Sequence, residues 1–120
     1  MARYVDGFVI PLPKKKLPAY RRIARQAGKI WREHGALAYH ECVGDDFTGK
    51  TGIPFPRLTR LKAGETVVFS WIMYKSRAHR DRVNAKVMKD PRLNAICDPA
   101  DMPFDCQRMS HGGFSILVSA

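Results

Sequence analysis

Alternation of apolar and polar side chains, with runs of β-branched and aromatic residues, predicts four β-strands. The predicted strands are Arg3–Ile10, Leu37–Val43, Thr66–Tyr74 and Gln107–Val118. Pro11-Leu12-Pro13 is expected to end the first strand, because proline has a fixed φ and no N–H for ladder pairing. Gly112-Gly113 interrupts the last strand and indicates a bulge or a close backbone approach.

Two stretches have apolar positions at the three- and four-residue spacing that is typical of amphipathic helices. The longer stretch covers Lys14–His34. Pro18 is suited to the first turn of this helix, and Gly35, directly after it, is suited to a C-terminal cap. The second runs from an N-cap at Ser76 through Lys89. Its predicted buried stripe consists of His79, Val83 and Val87.

Glycine and proline are dense in residues 44–64, which excludes a helix and disrupts any central strand. We therefore predict a long loop there, with a short edge strand near Leu58–Leu61. Loops of more than about 12 to 15 residues in compact domains are often lids or binding loops, so this segment is a candidate lid. Arg92–Asp105 is predicted to be irregular.

The order of elements is βαββαβ, the ferredoxin-like arrangement, in which two helices cover one face of a four-stranded antiparallel sheet. The chain has room for one core, so residues 1–120 are expected to form a single α+β domain. In the first strand, the small Gly7 between Val5 and Val9 favours close helix packing, which places both valines beneath the helices. The residues then expected on the open face are Tyr4, Asp6 and Phe8.

Neither face of the strongest predicted strand, Thr66–Tyr74, is polar, and two helices cannot cover both. If Tyr4, Phe8 and Trp71 contribute about 200 Å² each, the open face carries an apolar patch of about 600 Å², at or above the largest usually exposed on monomers. At about 25 cal/mol/Å², that area represents about 15 kcal/mol of gross driving force. The pattern therefore predicts a homodimer in which two sheets pack face to face.

Composition and charge add the cellular context. The N-terminal stretch resembles neither a signal peptide nor a membrane span, which favours a cytoplasmic protein without a membrane partner. Cys42, Cys97 and Cys106 form no CxxC pair and leave an odd thiol, so no disulfide framework is expected. The net charge of +10 is high. The basic residues of the predicted helices alternate with apolar positions, however, which is typical of the solvated face of a helix.

Several blocks of sequence resemble a known family. They are Tyr4-Val5-Asp6-Gly7-Phe8, Trp31-Arg32-Glu33-His34-Gly35-Ala36-Leu37, Glu41-Cys42-Val43-Gly44-Asp45-Asp46, Phe69-Ser70-Trp71, Ser76-Arg77-Ala78-His79-Arg80-Asp81, Met102-Pro103-Phe104-Asp105 and Arg108-Met109. With these blocks in register, the sequence resembles the YbaA-like family of bacterial proteins, also called domain of unknown function 1428. The similarity runs from Arg3 to nearly the C-terminus.

The resemblance implies membership of the dimeric α+β barrel superfamily, in which two ferredoxin-like protomers pack sheet to sheet. That superfamily includes cofactor-independent monooxygenases, haem-degrading enzymes, dye-decolourising peroxidases and chlorite dismutases, with a pocket between sheet and helices. The family has no established activity, so the resemblance transfers no catalytic residue. Whether the protein is an enzyme stays open, because fold alone does not fix function.

A ligand pocket on the open face is the leading functional hypothesis. Asp6 lies between aromatic residues, where a carboxylate either pairs with a base such as Arg108 or His111 or serves as a general base or ligand anchor. The candidate pocket residues are Asp6, Phe8, Trp71 and His111. We expect them to bind or transform a small, partly apolar molecule without a cofactor, with residues 44–64 as the lid.

Two motif matches are rejected on chemical grounds. Residues 44–51 fit the phosphate-loop pattern GxxxxGK followed by Ser or Thr, but the glycine and prolines of residues 52–56 prevent the helix whose amides would face the phosphates. His40 and Cys42 share one face of a predicted strand, yet no further ligand completes a metalloprotein spacing. We therefore expect neither a nucleotide site nor a metal site.

Two alternatives stay open. A basic nucleic-acid-associated protein would account for the net charge, and RNA-binding modules share this topology. The third strand lacks the aromatic signature of those modules, and the basic residues lie mainly on the helices, which makes nucleic acid the weaker hypothesis. The other alternative is a dimerisation module without a ligand, which the absence of a cavity would favour.

Overall fold

The computed structural model describes residues 3–120, and its main elements follow the predicted order βαββαβ with two additional short helices. The strands are β1 (Tyr4–Pro13), β2 (Ala38–Val43), β3 (Glu65–Tyr74) and β4 (Ser110–Ser115). The helices are α1 (Leu17–Glu33), α2 (Phe55–Leu58), α3 (Arg77–Met88) and α4 (Pro91–Ile96). Single 3-10 turns occupy Lys14–Lys16, Pro99–Asp101 and Cys106–Arg108.

All four strands pair antiparallel in the order β2-β3-β1-β4, so the two longest strands lie at the centre of the sheet. Buried side chains of α1 and α3 pack against one face, which holds two clusters of the core. One cluster consists of Ile30, Ala36, Ile72, Tyr74, Val83, Val87 and Leu93. The other consists of Ile10, Leu12, Tyr20, Ala24 and Val68. This is the ferredoxin-like α+β fold, and the fold prediction is confirmed.

The helix termini follow the signals in the sequence. Ser76 Oγ accepts a hydrogen bond from the backbone N–H of His79 at 3.1 Å, which is the predicted N-cap of α3. Pro18 lies in the first turn of α1, where its missing N–H costs no helical bond. Within residues 3–120, no helix combines the length and the apolar character that a bilayer crossing requires.

The prediction placed the wrong side of β1 beneath the helices. Asp6 lies opposite Ile72, which belongs to the core under α1 and α3, so both side chains are on the helix face of the sheet. Because side chains alternate along a strand, Tyr4 and Phe8 face the helices as well. The β1 residues on the open face are Val5, Gly7 and Val9.

The reason for this inversion is a charged partner that α3 supplies to Asp6. Arg80 Nη1 lies 2.8 Å from Asp6 Oδ1, and a paired carboxylate is tolerated beneath a helix where an unpaired one is not. Gly7, which suggested close helix packing, instead lies beside the ring of Phe114 on the open face. A long-range ion pair therefore allows Asp6 to lie on the buried side of β1.

β1 continues through the prolines that were expected to end it and pairs with β3 as far as Pro13. β4 pairs with β1 only as far as Val9, so the later part of β1 lies at an edge of the sheet. The backbone N–H of Lys14 donates to Gly64 O at 2.9 Å, and by alternation the nitrogens of Pro11 and Pro13 point away from β3. A proline is tolerated there because no ladder hydrogen bond is lost.

Two segments that were expected to lack helix contain short ones. Instead of an edge strand near Leu58–Leu61, α2 forms, and the N–H of Leu58 donates to Pro54 O at 3.1 Å. Instead of irregular chain after Pro91, α4 forms, because Asp90 Oδ1 caps its first turn by accepting from the N–H of Arg92 at 2.9 Å. A side-chain cap starts α4, whereas α2 begins without one and has Pro56 in its first turn, where the missing N–H costs no helical bond.

β4 is shorter than the predicted strand, and Gly112-Gly113 introduces no bulge into it. Its pairing with β1 runs without a break from Ser110 to Ser115. The close backbone approach, which was the other interpretation of the two glycines, is present. A Cβ atom on Gly113 would overlap the hydroxyl of Tyr4.

Candidate functional site

A cavity of about 470 Å³ lies between the sheet and the helices, and we call it the helix-side cavity. Its volume is in the range that is typical of small-molecule sites. Its main apolar wall residues are Phe8, Ile23, Trp31, Ile72, Met88, Met102, Phe104 and Met109. Its polar and charged side chains are Asp6, Tyr20, Tyr39, Glu41, Ser70, Arg80, Asn84 and His111.

Asp6 is the buried charged group of this cavity, with 6% of its surface exposed. Its Oδ1 accepts a hydrogen bond from Arg80 Nη1 at 2.8 Å. Its Oδ2 lies 3.4 Å from Asn84 Nδ2, beyond the usual length of a strong hydrogen bond. The guanidinium of Arg80 also stacks over the ring of Tyr4, with its Cζ 4.9 Å from the ring centroid. One oxygen of Asp6 is thus firmly paired, and the other keeps acceptor capacity.

Two hydrogen-bond donors hold the side-chain oxygen of Asn84 and so orient its amide group. Its Oδ1 accepts hydrogen bonds from Trp31 Nε1 at 3.0 Å and from the Tyr74 hydroxyl at 3.2 Å. Burial, with the nearby Asp6 carboxylate, raises the pKa of Tyr74, so its hydroxyl stays protonated and donates. Because Oδ1 is occupied, the amide nitrogen of Asn84 points towards Asp6.

A second polar cluster is centred on Glu41 of β2. Its Oε1 accepts from the Tyr20 hydroxyl and its Oε2 from the Tyr39 hydroxyl, each at 2.6 Å. Burial and the adjacent Glu41 raise the pKa of both tyrosines, which keeps both hydroxyls protonated. Both carboxylate oxygens of Glu41 are therefore already used by the protein.

Three of the four predicted pocket residues line the helix-side cavity: Asp6, Phe8 and His111. β4 lies beside β1, so Phe8 and His111 are cross-strand partners, and their rings stack with centroids 6.2 Å apart and planes at 19°. Trp71 lies on the opposite face of the sheet, because it is next to Ile72 and successive side chains alternate. The structure does not bring Trp71 into this cavity.

Asp6 forms an ion pair, as one interpretation predicted, but its partner is Arg80 and not Arg108 or His111. Arg108 pairs with Glu65 instead, with Nη1 to Oε2 at 2.6 Å and Nη2 to Oε1 at 2.9 Å. Sequence reasoning missed Arg80, which was counted among the basic residues of a solvated helix face, and did not single out Asn84. Their four-residue spacing puts them on one side of a helix, and that was the available signal.

The open face of the sheet is apolar and carries Trp71, as predicted, but Phe69 and Phe114 lie there with it instead of Tyr4 and Phe8. Phe69 is 45% exposed and Phe114 is 63% exposed, and the ring centroid of Trp71 lies 5.7 Å from that of Phe69. His40 and Cys42 share this face with them, and the His40 ring lies 4.9 Å from that of Trp71. Within residues 3–120, no three His, Cys, Asp or Glu side chains group as metal ligands do.

Residues 44–64 do not lie over the helix-side cavity. Among the residues that the structure describes, the cavity wall takes none from this segment. Phe55 instead packs edge-on to Phe69, with ring centroids 6.3 Å apart, so the segment borders the open face. No helix begins at Lys50-Thr51, in line with the rejection of a phosphate loop.

Comparison with known proteins places the chain in a family. The family model described as "Protein of unknown function (DUF1428)" matches residues 3–106. The "Uncharacterized protein YbaA" of Escherichia coli (strain K12) is 40% identical over 116 residues, which cover 97% of this chain and 97% of that protein.

Solved structures with the same fold are much more distant in sequence. A dimeric ferredoxin-like protein from an uncultured marine organism has a TM-score of 0.62 at 9% identity and covers 100% of both chains. A nipsnap family protein with unknown function from Agrobacterium tumefaciens has a TM-score of 0.57 at 15% identity and covers 96% of this chain and 88% of that chain. These likenesses show the fold, whereas the family model and the E. coli relative show that this chain belongs to the DUF1428 family.

Proposed function

We propose that this protein is a homodimer that binds a small, partly apolar molecule in the helix-side cavity of each protomer. One observation carries the proposal: a buried carboxylate with spare acceptor capacity, that of Asp6, lies in a cavity of about 470 Å³ whose walls are largely apolar. Convergent polar groups in an apolar cavity are the usual features of a ligand site. A dimerisation module without a ligand has no need of such a cavity.

The polar groups indicate the chemistry of the ligand. Asp6 Oδ2 can accept a further hydrogen bond, and Arg80 Nη2, which lies 3.5 Å from the Tyr4 hydroxyl, can donate one. A hydroxyl group both donates and accepts, so it would satisfy the two partners together. The second carboxylate, Glu41, repels anions and has both oxygens occupied. We therefore favour a neutral molecule with a hydroxyl or amide group on an aromatic or aliphatic body.

The proposal of a homodimer depends on the apolar character of the open face. Its exposed side chains include Phe69 and Phe114, with Trp71 beside them, and a contiguous apolar surface of this kind favours association. A solved structure with the same fold is described as a dimeric protein. Packing two open faces together buries these aromatic residues and leaves the helices and the helix-side cavity on the outside of the sheets.

Ligand-observed saturation-transfer NMR with a library of hydroxylated aromatic fragments tests the ligand site. Ala27 is buried and lines the helix-side cavity, so Ala27→Phe fills the space, whereas Trp71→Phe alters the opposite face. We expect fragment signals with the unmodified protein and with Trp71→Phe, and their loss with Ala27→Phe.

The same screen with Asp6→Asn covers the case in which Ala27→Phe does not fold. Asparagine keeps the size of the side chain and removes its charge, so we expect binding of hydroxylated fragments to weaken. Fragment signals that survive both Ala27→Phe and Asp6→Asn, or a library with no binder, would contradict the proposal.

A further inference from the structure

A second concave site lies outside the helix-side cavity, between α1 and the edge strand β2. This groove, which we call the α1–β2 groove, has a volume of about 1160 Å³. Five basic residues of α1 line it: Arg21, Arg22, Arg25, Lys29 and Arg32. Glu41 is the one acidic residue in its wall, and both carboxylate oxygens of Glu41 accept bonds from tyrosine hydroxyls. The groove is therefore strongly positive.

Most of this charge has no counter-ion among the residues that the structure describes. Arg21, Arg22, Arg25 and Lys29 make no ion pair with any carboxylate within residues 3–120. Arg32 is held in place by its hydrogen bonds to the carbonyl oxygens of Ala36 and Leu37. Arg80, Arg92 and Arg108, by contrast, each pair with a carboxylate.

The spacing of the cations matches an extended chain. Arg21, Arg25 and Lys29 follow one another at four-residue intervals, which is about 6 Å per step along a helix. Alternate side chains on one face of a β-strand are about 6.7 Å apart. A strand with an acidic residue at every second position would therefore present its carboxylates at nearly the interval of the α1 cations.

The other wall of the groove offers a place for such a strand. β2 is the last strand of the sheet and pairs only with β3 in the part of the chain that the structure describes. Its outer edge therefore presents unpaired backbone N–H and C=O groups. Val43, at its end, is 54% exposed, so this edge is open to solvent.

We propose that the α1–β2 groove binds an extended acidic segment of a partner protein, which adds to the sheet as a strand beside β2. Backbone hydrogen bonds to the edge supply affinity, and carboxylates facing Arg21, Arg25 and Lys29 supply specificity. A nucleic acid fits less well. Its bases need aromatic stacking platforms, and the tyrosines in the groove, Tyr20 and Tyr39, are held by Glu41.

Fluorescence anisotropy with a labelled hexapeptide of alternating glutamate and valine, the length of β2, tests the proposal with the full-length protein. The test variant is Arg21→Glu/Arg25→Glu/Lys29→Glu. The matched control is Arg77→Glu/Arg82→Glu/Lys86→Glu, which makes the same change of net charge at exposed positions of α3. We expect the α1 variant to weaken peptide binding at least about tenfold and the α3 variant by less than about threefold.

Two further probes separate the alternatives. A glutamine-for-glutamate peptide and a peptide that is N-methylated at every backbone nitrogen should both bind at least about tenfold more weakly, because the first lacks charge and the second lacks backbone donors. Equal losses in the α1 and α3 variants would overturn the proposal in favour of unspecific charge attraction. Tighter binding of a single-stranded oligonucleotide than of the peptide would overturn it in favour of nucleic acid. A peptide that does not bind the unmodified protein would also overturn it.

Discussion

Arg80 Nη1 lies 2.8 Å from Asp6 Oδ1, so an ion pair ties α3 to the first strand across 74 positions of the chain. Both side chains are largely shielded from water, with 20% of the Arg80 side chain and 9% of the Asp6 side chain exposed. The pair allows Asp6 to lie on the face of β1 that the helices cover. It also supplies two of the charged groups of the helix-side cavity.

Arg80→Met should destabilise the protein by about 3 kcal/mol, because it leaves the Asp6 carboxylate buried without its charged partner. Urea unfolding followed by circular dichroism measures the change in the free energy of unfolding. Arg82→Met is the matched control, since Arg82 is exposed on the same helix and has no ion pair within residues 3–120. Equal losses in the two variants would show that the Arg80–Asp6 pair does not hold α3 on β1.

Glu65→Gln should change how stability depends on pH. Arg108 donates two hydrogen bonds to Glu65 and lowers the pKa of that carboxyl from 4.5 to about 2. A carboxyl with a lowered pKa stabilises the fold above pH 4.5, and this contribution is lost as the pH falls towards 2. At pH 7 we expect Glu65→Gln to be less stable than the unmodified protein by about 1 kcal/mol.

The difference between Glu65→Gln and the unmodified protein should shrink as the pH is lowered from 5 to about 2. Thermal unfolding at a series of pH values in constant salt measures it. Asp101→Asn provides a control at an exposed carboxylate. A stability difference between Glu65→Gln and the unmodified protein that stays constant over this pH range would mean that Arg108 does not keep Glu65 ionised.

Gly28→Ala should destabilise the protein although alanine is the better helix former. A Cβ on Gly28 would lie 2.7 Å from Cδ1 of Tyr39, whose hydroxyl is bonded to Glu41. Displacing that ring should cost more than the gain of about 1 kcal/mol in helix propensity, giving a net loss of about 1 kcal/mol. Gly49→Ala, where the added methyl meets nothing within 4 Å, should change stability by less than about 0.5 kcal/mol. Stabilisation by Gly28→Ala would contradict the close contact with Tyr39.

The types and order of the main elements could be predicted from the sequence, because periodicity and capping are local properties. α1 and α3 follow from their apolar spacing and from Ser76, and β3 follows from its β-branched and aromatic run. The end of β1 could not be predicted in the same way. Whether Pro11 and Pro13 disrupt a strand depends on how far β4 reaches along β1, which is a property of the assembled sheet.

The candidate site could be predicted only in part, for a related reason. Asp6, Phe8 and His111 come together because β1 and β4 are neighbours, as the fold implies. They lie on the helix face, where Asp6 needs Arg80 as its charged partner. Arg80 lies 74 positions after Asp6 in the chain, so no periodicity of the sequence connects the two residues. Trp71 lies on the open face, as predicted, so the inversion of β1 places Asp6 and Phe8 on the helix side and separates them from Trp71.

Phe69→Lys should weaken the proposed homodimer at least about tenfold, because it places a charge in the apolar open face. Sedimentation velocity at micromolar concentration should then report a species near 13.6 kDa, whereas the unmodified protein should sediment at about twice that mass. Met88→Lys is the matched control, with a similarly exposed apolar side chain on α3. An unmodified protein that stays at 13.6 kDa, or a Phe69→Lys variant that remains dimeric, would contradict packing through the open face.

Crystallographic fragment screening tests the proposed ligand site most directly, because it locates the bound molecules. The proposal predicts hydroxylated aromatic fragments in the helix-side cavity, with their donor group on Asp6 Oδ2 and their ring against Phe8. Fragments that bind reproducibly at other places while this cavity stays empty would contradict it.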